Sequence, residues 1–262
     1  MKRLIYQVYT GNKSKLYDMC TNSVEEYCIA NNIDHYVQTT PKLKIKPDVF
    51  ATNRSKESYE KYGGFLPIYE KENAFEYLKD YDQIAVIDAD IYIRPGSPNI
   101  FNSISKDVDF AGVVEREMPL TDAYMNKIIN YSKMQYLPLK DKANFKPNKM
   151  GFEFFNMGMM VMNKSIQRFL NGQTPKQFIQ RAEFKDFVDG QGAWKWSTDQ
   201  TLLNYWIKKY KIRAQHLDWK WNGLYKGIKD DKVKEAYFIH FFLRDKLPDR
   251  GENISSLLSN IK

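Results

Sequence analysis

The sequence has little cysteine, no long apolar run and no secretory leader, and each absence excludes a class of protein. Its two cysteines, Cys20 and Cys28, lie in one segment that is expected to be helical. A helix rises about 1.5 Å per residue, so two turns separate the pair and no disulfide is expected between them. We therefore expect a reduced protein of the cytoplasm rather than a disulfide-rich secreted one.

Membrane-spanning and exported proteins are disfavoured on similar grounds. No segment approaches the roughly 20 consecutive apolar residues that span a bilayer. The N-terminal segment is basic at its start but lacks the long apolar core of a signal peptide. No internal repeat or low-complexity segment is found, so residues 1–262 are expected to form a single domain. The sequence decides neither the oligomeric state nor whether the protein makes a peripheral contact with a membrane.

Positive charge and aromatic side chains are abundant instead. The formal net charge is +8, and 15% of the residues are Phe, Trp or Tyr. A positive balance favours anionic partners such as nucleotides or nucleic acids. The lysines are dispersed rather than arranged in a stripe, so no nucleic-acid partner is expected. The surplus aromatic rings are either core residues or surfaces on which sugars or bases stack.

The most informative stretch is residues 83–94. Residues 84–87 form an apolar, β-branched run, which is the pattern of a strand buried on both faces. The run ends at Asp88 and Asp90, and two like charges at the end of a buried strand are costly unless a partner neutralises them. Ligands of open α/β sheets bind at the carboxyl ends of strands. The pair therefore predicts a divalent cation facing a phosphate-bearing substrate, with a solvated turn as the alternative.

The order of the other segments predicts an α/β fold. Residues 3–9 and 34–38 are predicted strands that flank a helix at 15–31, which is typical of a parallel crossover. Thr10 and Asn12 follow the first strand, where the base of a nucleotide would enter. The glycines of a dinucleotide fingerprint are missing there, which argues against NAD. Further strands are predicted at 109–114, 154–163, 212–217 and 237–242, and further helical segments at 56–78, 165–187 and 200–210, with breaks near 63–67 and 171–174.

Residues 116–150 are predicted to be an insertion. They are rich in Lys, Asn, Tyr and Met, contain three prolines, and are expected to include one helix at 122–132. Long irregular segments inside a compact domain are usually lids or binding loops. We therefore expect this segment to be mobile and to serve binding.

Polar residues interrupt two of the predicted strands. Asn156 and Gly158 lie within 154–163, where a buried amide needs partners and a glycine allows close approach to the backbone. His240 interrupts 237–242, and a hydrogen-bonded core histidine is the alternative to a functional one.

A further polar pair begins a predicted helix. Ser197 or Thr198 is the expected cap, which places Asp199 and Gln200 in the first turn. The helix dipole accounts for the carboxylate but not for the amide. Lys71 lies on the helical segment before the acidic strand, where it either faces a phosphate or is a solvated surface lysine.

Together these segments resemble the retaining glycosyltransferases of the glycogenin and bacterial lipopolysaccharide galactosyltransferase type. Four blocks carry the resemblance in the family's order, from about residue 3 to residue 246: Ile-Asp-Ala-Asp ending at Asp90, Phe-Asn-Met-Gly ending at Gly158, Asp-Gln-Thr-Leu-Leu-Asn starting at Asp199, and Ile-His-Phe around His240, followed by Lys246. The sequence departs from the family at Leu243, where the family has glycine, at Thr201, where it has aspartate, and after Lys246, where Leu-Pro replaces Pro-Trp.

The resemblance implies a GT-A (Rossmann-like) fold with a mixed, mostly parallel sheet flanked by helices. It implies transfer of a hexose from a nucleotide-sugar, most often a UDP-sugar, to a saccharide or other hydroxyl acceptor with retention of configuration. It implies that Asp88, Asp90 and His240 bind Mn²⁺ or Mg²⁺.

The resemblance also assigns roles around this cation. Donor contacts are implied for Thr10, Asn12, Lys71, Ala89 and Lys246. Roles in holding the sugar or in catalysis are implied for Asn156, Asp199 and Gln200. The insertion at 116–150 and the pairs Trp194/Trp196 and Trp219/Trp221 would then form the acceptor side.

Three alternatives stay open at this point. One is a nucleotidyltransferase or an inverting enzyme of the same fold, with Glu115 or Glu153 as a base. Another is a transferase-like protein that binds a nucleotide-sugar without turning it over. The last is a basic nucleic-acid-binding protein without catalysis.

Overall fold

The computed structural model describes residues 1–11, 13–48, 53–196 and 198–261. The strands within these residues are β1 (Arg3–Val8), β2 (Asp34–Gln38), β3 (Gln83–Ile87), β4 (Ile91–Ile93), β5 (Phe110–Val114), β6 (Pro147–Asn148), β7 (Gly151–Phe152), β8 (Phe155–Asn163), β9 (Ala214–His216), β10 (Gly223–Leu224) and β11 (Phe238–His240). The α-helices are α1 (Lys15–Asn31), α2 (Asn53–Tyr62), α3 (Asp122–Tyr136), α4 (Pro175–Ile179), α5 (Lys185–Asp189), α6 (Asp199–Lys209) and α7 (Ile254–Asn260). Segments of 3₁₀ helix include Pro67–Lys79, Ile100–Ser103, Lys164–Phe169, Trp219–Asn222, Asp230–Glu235 and Arg244–Lys246.

A six-stranded sheet in the order β2-β1-β3-β8-β5-β9 forms the centre of the molecule. Its pairs are parallel except where β8 runs antiparallel to both β3 and β5. Every residue of β3, β5 and β8 is buried, as expected for strands covered on both faces. The predicted α/β class, with a mixed and mostly parallel sheet flanked by helices, is confirmed.

The antiparallel direction of β8 decides which residues meet at one edge of this sheet. Ile87 at the end of β3 lies opposite Met159, and Val114 at the end of β5 lies opposite Phe155. The carboxyl ends of β3 and β5 therefore meet the start of β8. The polar residues that follow or begin these strands are brought together there.

A smaller sheet of three strands, in the order β10-β11-β4, extends this edge. β11 runs parallel to β10 and antiparallel to β4, with His240 opposite Ile91. The strand around His240 was predicted from the sequence, whereas a strand at residues 91–93 was not. Only three residues long, β4 is too short for its pattern to be recognised without its partner.

The segment 116–150 is packed against the domain through α3. The helix begins after Thr121, whose hydroxyl accepts a hydrogen bond from the backbone of Tyr124, and it is longer than the predicted 122–132. Its buried face includes Tyr124, Ile128 and Tyr136. The predicted lid or acceptor role of the segment stays a prediction.

The helical segment predicted at 165–187 is divided into short pieces. The predicted break at 171–174 is present, because Thr174 and Gln177 form a capping box that starts α4 with Pro175 in its first turn. A further break separates α4 from α5, which ends at Gly190 in the left-handed conformation.

Cys20 and Cys28 are free thiols buried on α1. Among the described residues, no helix has both the length and the apolar composition needed to cross a bilayer.

Asp109 anchors the segment before β5 and gives a test of the fold. Its buried carboxylate accepts hydrogen bonds from Ser165, Arg168 and Arg213. Burial opposes ionisation of Asp109, but Arg213 and Ser165 outweigh it and lower the pKa of this carboxyl. We expect Asp109→Asn to reduce the free energy of unfolding by about 2 kcal/mol at pH 7, because charge-assisted hydrogen bonds are lost. Urea unfolding measures the change.

The pH dependence of this effect has a defined sign. Because folding lowers the pKa of Asp109, its contribution is present above the unfolded-state pKa of about 4 and is lost as the pH falls through the lower folded-state pKa. The difference between wild type and Asp109→Asn should therefore shrink in that acidic range. Asp107→Asn, an exposed neighbour, is the control, with an expected change within about 0.5 kcal/mol. A constant difference at all pH values would contradict this account.

Candidate active site

The register of β4 and β11 brings an imidazole to the acidic turn that follows β3. Asp88 and Asp90 lie in this turn, and Ile91 then pairs with His240. The backbone N–H of Phe241 donates to the carbonyl of Asp90 at 2.9 Å. The backbone alone therefore fixes His240 beside the two acids.

The side chains of these three residues converge. Nε2 of His240 lies 3.2 Å from Oδ1 of Asp90 and 3.8 Å from Oδ2 of Asp88. One ligand atom from each residue lies within 4.8 Å of the others. The predicted metal ligands are therefore close enough to share one cation.

The local electrostatics are dominated by these groups. Burial opposes the charge of His240, but Asp90 and Asp88 outweigh it and raise the pKa of the imidazole. Burial also opposes ionisation of Asp90, yet the adjacent His240 lowers the pKa of that carboxyl. For Asp88, burial prevails over the nearby Lys71 and raises the pKa. A cluster of two acids and one base with opposed shifts is typical of a functional site.

Lys71 is buried beneath the acids rather than exposed on a helix surface. Its Nζ lies 2.9 Å from Oδ1 of Asp88, 2.7 Å from Oδ2 of Asp199 and 3.0 Å from the carbonyl oxygen of Met157. Burial opposes its charge, but Asp199 and Asp88 raise the pKa of Lys71, so it stays cationic. The lysine thus links the block that contains Asp88 to the block that starts at Asp199. The alternative of a solvated surface lysine is wrong.

Gly158 forms the wall against which the imidazole lies. A Cβ atom added there would overlap Cε1 of His240 and would lie 2.6 Å from its Nδ1. No side chain fits between this backbone and the ring. The observed donors, two carboxylates and one imidazole around a space shaped by a glycine, fit a divalent cation such as Mn²⁺.

A cavity of about 590 Å³ opens at the acids. Thr10, Lys71, Asp88, Ala89 and Asp90 line it. Their contacts with a donor or a metal stay predictions. Further lining residues that were not predicted from the sequence include Tyr17 on α1 and Tyr62, Phe65, Leu66, Pro67 and Ile68. Residues 62–68 surround a predicted break in a helix, and such a break gives no sign that it faces a ligand.

Not every implied donor contact lies at this cavity. Asn12 is outside the described residues. Lys246 is exposed and does not belong to the described residues that line the cavity. Arg244 contacts one of the lining residues, with its guanidinium carbon 5.1 Å from the ring centroid of Tyr17.

The implied sugar-binding residues lie next to the acids but contact protein groups. Asp199 pairs with Lys71, and Gln200 Oε1 accepts from the backbone N–H of Met157 at 3.2 Å. Asn156 donates to Glu115 and accepts from the backbone of Gly158. The cap of α6 is Thr198, as expected. The roles of Asn156, Asp199 and Gln200 toward a ligand stay predictions.

The tryptophans that were expected on the acceptor side differ in exposure. Trp221 is buried against Tyr237, as a core residue. Trp194 is half-buried and donates to the carbonyl of Gln135. Trp196, in contrast, is 60% exposed, and Nζ of Lys195 lies 5.3 Å from its ring centroid. The acceptor role of these tryptophans stays a prediction.

A second group of possible ligands, Glu117, Glu153 and His216, lies on the surface. Glu153 already pairs with Arg116 and Lys208. Neither Glu153 nor the buried Glu115 belongs to the described residues that line the cavity. An inverting reaction with one of them as the base stays an alternative.

No protein-family model matches the sequence, and no curated protein matches it significantly. A glycosyltransferase involved in the glycosylation of the major capsid of PBCV-1 is similar in structure, with 13% identity, a TM-score of 0.56, and coverage of 98% of this chain and 100% of that one. The galactosyltransferase LgtC, solved in complex with donor and acceptor sugar analogs, is 14% identical, with a TM-score of 0.53 over 99% of this chain and 94% of its own. The chain has a GT-A fold.

One further neighbour is a protein longer than this chain. The bifunctional glycosyltransferase WbbM is 15% identical, with a TM-score of 0.50, and the match covers 99% of this chain but 49% of WbbM. At such low identity the likeness establishes the GT-A fold alone.

Proposed function

We propose that the protein is a metal-dependent glycosyltransferase. It moves a hexose from a nucleotide-sugar, in the first place a UDP-sugar, to a saccharide or other hydroxyl acceptor with retention of configuration. The observation that carries the proposal is the convergence of Asp88, Asp90 and His240 beside a cavity of about 590 Å³. A cavity of this size suits a small-molecule ligand that is partly enclosed by protein.

The chemistry of the donor set supports a cation here. Asp88, Asp90 and His240 would hold Mn²⁺ or Mg²⁺, with the oxygens of a diphosphate completing the coordination. When bound, the cation supplies Lewis-acid stabilisation of the departing diphosphate. Lys71 orients Asp88 and Asp199 through its ion pairs and keeps a fixed positive charge at the floor of the site.

The remaining residues are assigned by the family resemblance, and of the donor contacts Thr10 and Ala89 also line the cavity. Thr10, Asn12 and Ala89 follow the ends of β1 and β3 and would contact the nucleotide, and Lys246 would approach the diphosphate. Asn156, Asp199 and Gln200 would border the sugar. An amide is a poor nucleophile, so Gln200 is proposed to stabilise charge on the sugar rather than to attack it.

The segment 116–150 is proposed to form the acceptor side of a single domain. Its helix α3 reaches the site through Tyr131, whose hydroxyl lies 3.4 Å from Nε2 of Gln200. The free thiols of Cys20 and Cys28 suit a reducing compartment, and we propose the cytoplasm.

A thermal-shift panel of nucleotides and nucleotide-sugars, with and without Mn²⁺, tests the proposal. A ligand at one hundred times its Kd stabilises the folded state by about 2.7 kcal/mol, which raises Tm by roughly 5–10 °C for a domain of this size. We expect this rise for UDP or UDP-sugars together with Mn²⁺, and a much smaller one when EDTA replaces the metal. NMR of the product's anomeric signal then distinguishes retention from inversion. Stabilisation by nucleic acid alone, with no response to UDP and Mn²⁺, would contradict the proposal.

A further inference from the structure

A chain of buried hydrogen bonds leads from α3 to the imidazole of His240. Glu115 accepts from the hydroxyl of Tyr124 and from Nδ2 of Asn156, each at 2.8 Å. Nδ2 of Asn222 donates to Oδ1 of Asn156 at 2.8 Å. Nδ1 of His240 lies 3.1 Å from Oδ1 of Asn222. All five side chains are between 0% and 8% exposed, so water does not compete for these bonds.

The direction of these hydrogen bonds is fixed by a backbone donor, Gly158, and a side-chain acceptor, Glu115. The backbone N–H of Gly158 can only donate, and its nitrogen lies 3.0 Å from Oδ1 of Asn156. At the other end of the same amide, Glu115 presents a carboxylate oxygen to Nδ2. Asn156 must therefore present its oxygen to Asn222, which in turn presents its own oxygen to the imidazole.

The direction of these bonds determines which ring nitrogen of His240 carries the proton. Nδ1 carries the proton that is donated to Asn222. In the neutral ring, the lone pair is then on Nε2, the atom that faces Asp90 at 3.2 Å and Asp88 at 3.8 Å. This tautomer is the one that a cation between the two acids requires.

We propose that Glu115, Asn156 and Asn222 are positioning residues that hold His240 as an Nε2 ligand. This inference rests on the cation site of the proposed function and adds the residues that orient it. Such partners fix the tautomer and the orientation of a ligating imidazole, and their loss typically costs about 10- to 100-fold in metal affinity. Glu115 also joins the cation site to α3 through Tyr124.

The affinity of the full-length protein for Mn²⁺ alone tests this inference. Asn222→Leu removes the acceptor for Nδ1 while keeping the branched shape and the number of side-chain heavy atoms, and we expect the Kd for Mn²⁺ to rise by about 10- to 100-fold. Glu115→Met removes the anion that orients Asn156 and should act in the same direction. Glu115→Gln, which can still accept from Asn156, should show a clearly smaller loss, as should Tyr124→Phe, which leaves the carboxylate in place.

A spectroscopic measurement separates positioning from a general effect on structure. Pulsed EPR of bound Mn²⁺ detects the nitrogen of a directly coordinated imidazole. The measurement is made in a His216→Ala background, so that the surface group with Glu117 and Glu153 contributes no signal. We expect nitrogen coupling in this background and its loss or weakening with Asn222→Leu, while circular dichroism stays unchanged.

The outcomes separate the two levels of the proposal. If both Asn222→Leu and Glu115→Met keep the nitrogen coupling and the Kd for Mn²⁺ of the parent protein, the positioning role is wrong and the cation site remains. If the protein without these two substitutions binds no Mn²⁺, or binds it without nitrogen coupling, the cation site fails and this inference fails with it. Should Asn222→Leu not fold, the comparison of Glu115→Met with Glu115→Gln decides the question alone.

Discussion

Replacement of Asp90 by asparagine is expected to abolish the Mn²⁺-dependent stabilisation by UDP and to lower kcat for sugar transfer by at least about a thousandfold. Asp90 is the acid nearest to Nε2 of His240, and an amide would supply a neutral oxygen in place of an anionic one. Lewis-acid stabilisation by a metal is worth several kcal/mol, and each 1.4 kcal/mol or so corresponds to about a factor of ten in rate. Thermal shift and UDP release measure the two effects.

The control for this substitution is Asp107→Asn, which makes the same chemical change at an exposed position. It should leave both the thermal shift and the rate at the wild-type level. If Asp90→Asn responds to UDP and Mn²⁺ as wild type does, the assignment of the cation site is wrong.

Gly158→Ala is expected to weaken Mn²⁺ binding by more than about tenfold, because the new methyl group would occupy the space of the His240 ring. Overpacking of this kind typically costs about 1–3 kcal/mol of stability as well. Displacement of the ring would also strain its bond to Asn222. The Kd for Mn²⁺ and the urea midpoint are the quantities to measure.

A double-mutant cycle with His240→Ala isolates the cause. Removal of the imidazole removes the two shortest contacts of the methyl group and leaves Oδ1 of Asn156 at 3.0 Å, so Gly158→Ala should cost clearly less stability in that background than in wild type. Equal costs in the two backgrounds would mean that the glycine is required for some reason other than the approach of the ring.

Much of this site could be predicted because its residues disturb otherwise regular patterns. Asp88 and Asp90 end a fully apolar strand, and His240 interrupts another. Each disturbance is visible within a few residues of sequence. The strands of the central sheet were predictable because apolar runs such as those of β3 and β8 are long enough to indicate burial.

Other parts of the site depend on contacts that no local pattern records. Asn222 lies in a short turn after aromatic residues, and nothing in the sequence connects it to Asn156 or to the imidazole. The register of β4 with β11 is set by pairing across most of the chain, so residues 91–93 were not recognised as a strand. The burial of Lys71 between Asp88 and Asp199 likewise arises only from tertiary packing.

The pairing of β4 with β11 also bears on how the site forms during synthesis. A nascent chain carries both acids long before the segment with the imidazole has left the ribosome. Until β11 docks, an ion could be held by at most two of the three ligands, so tight capture has to wait for the C-terminal segment. A fragment that stops before Phe238 would therefore hold such an ion poorly, however well its other strands were formed.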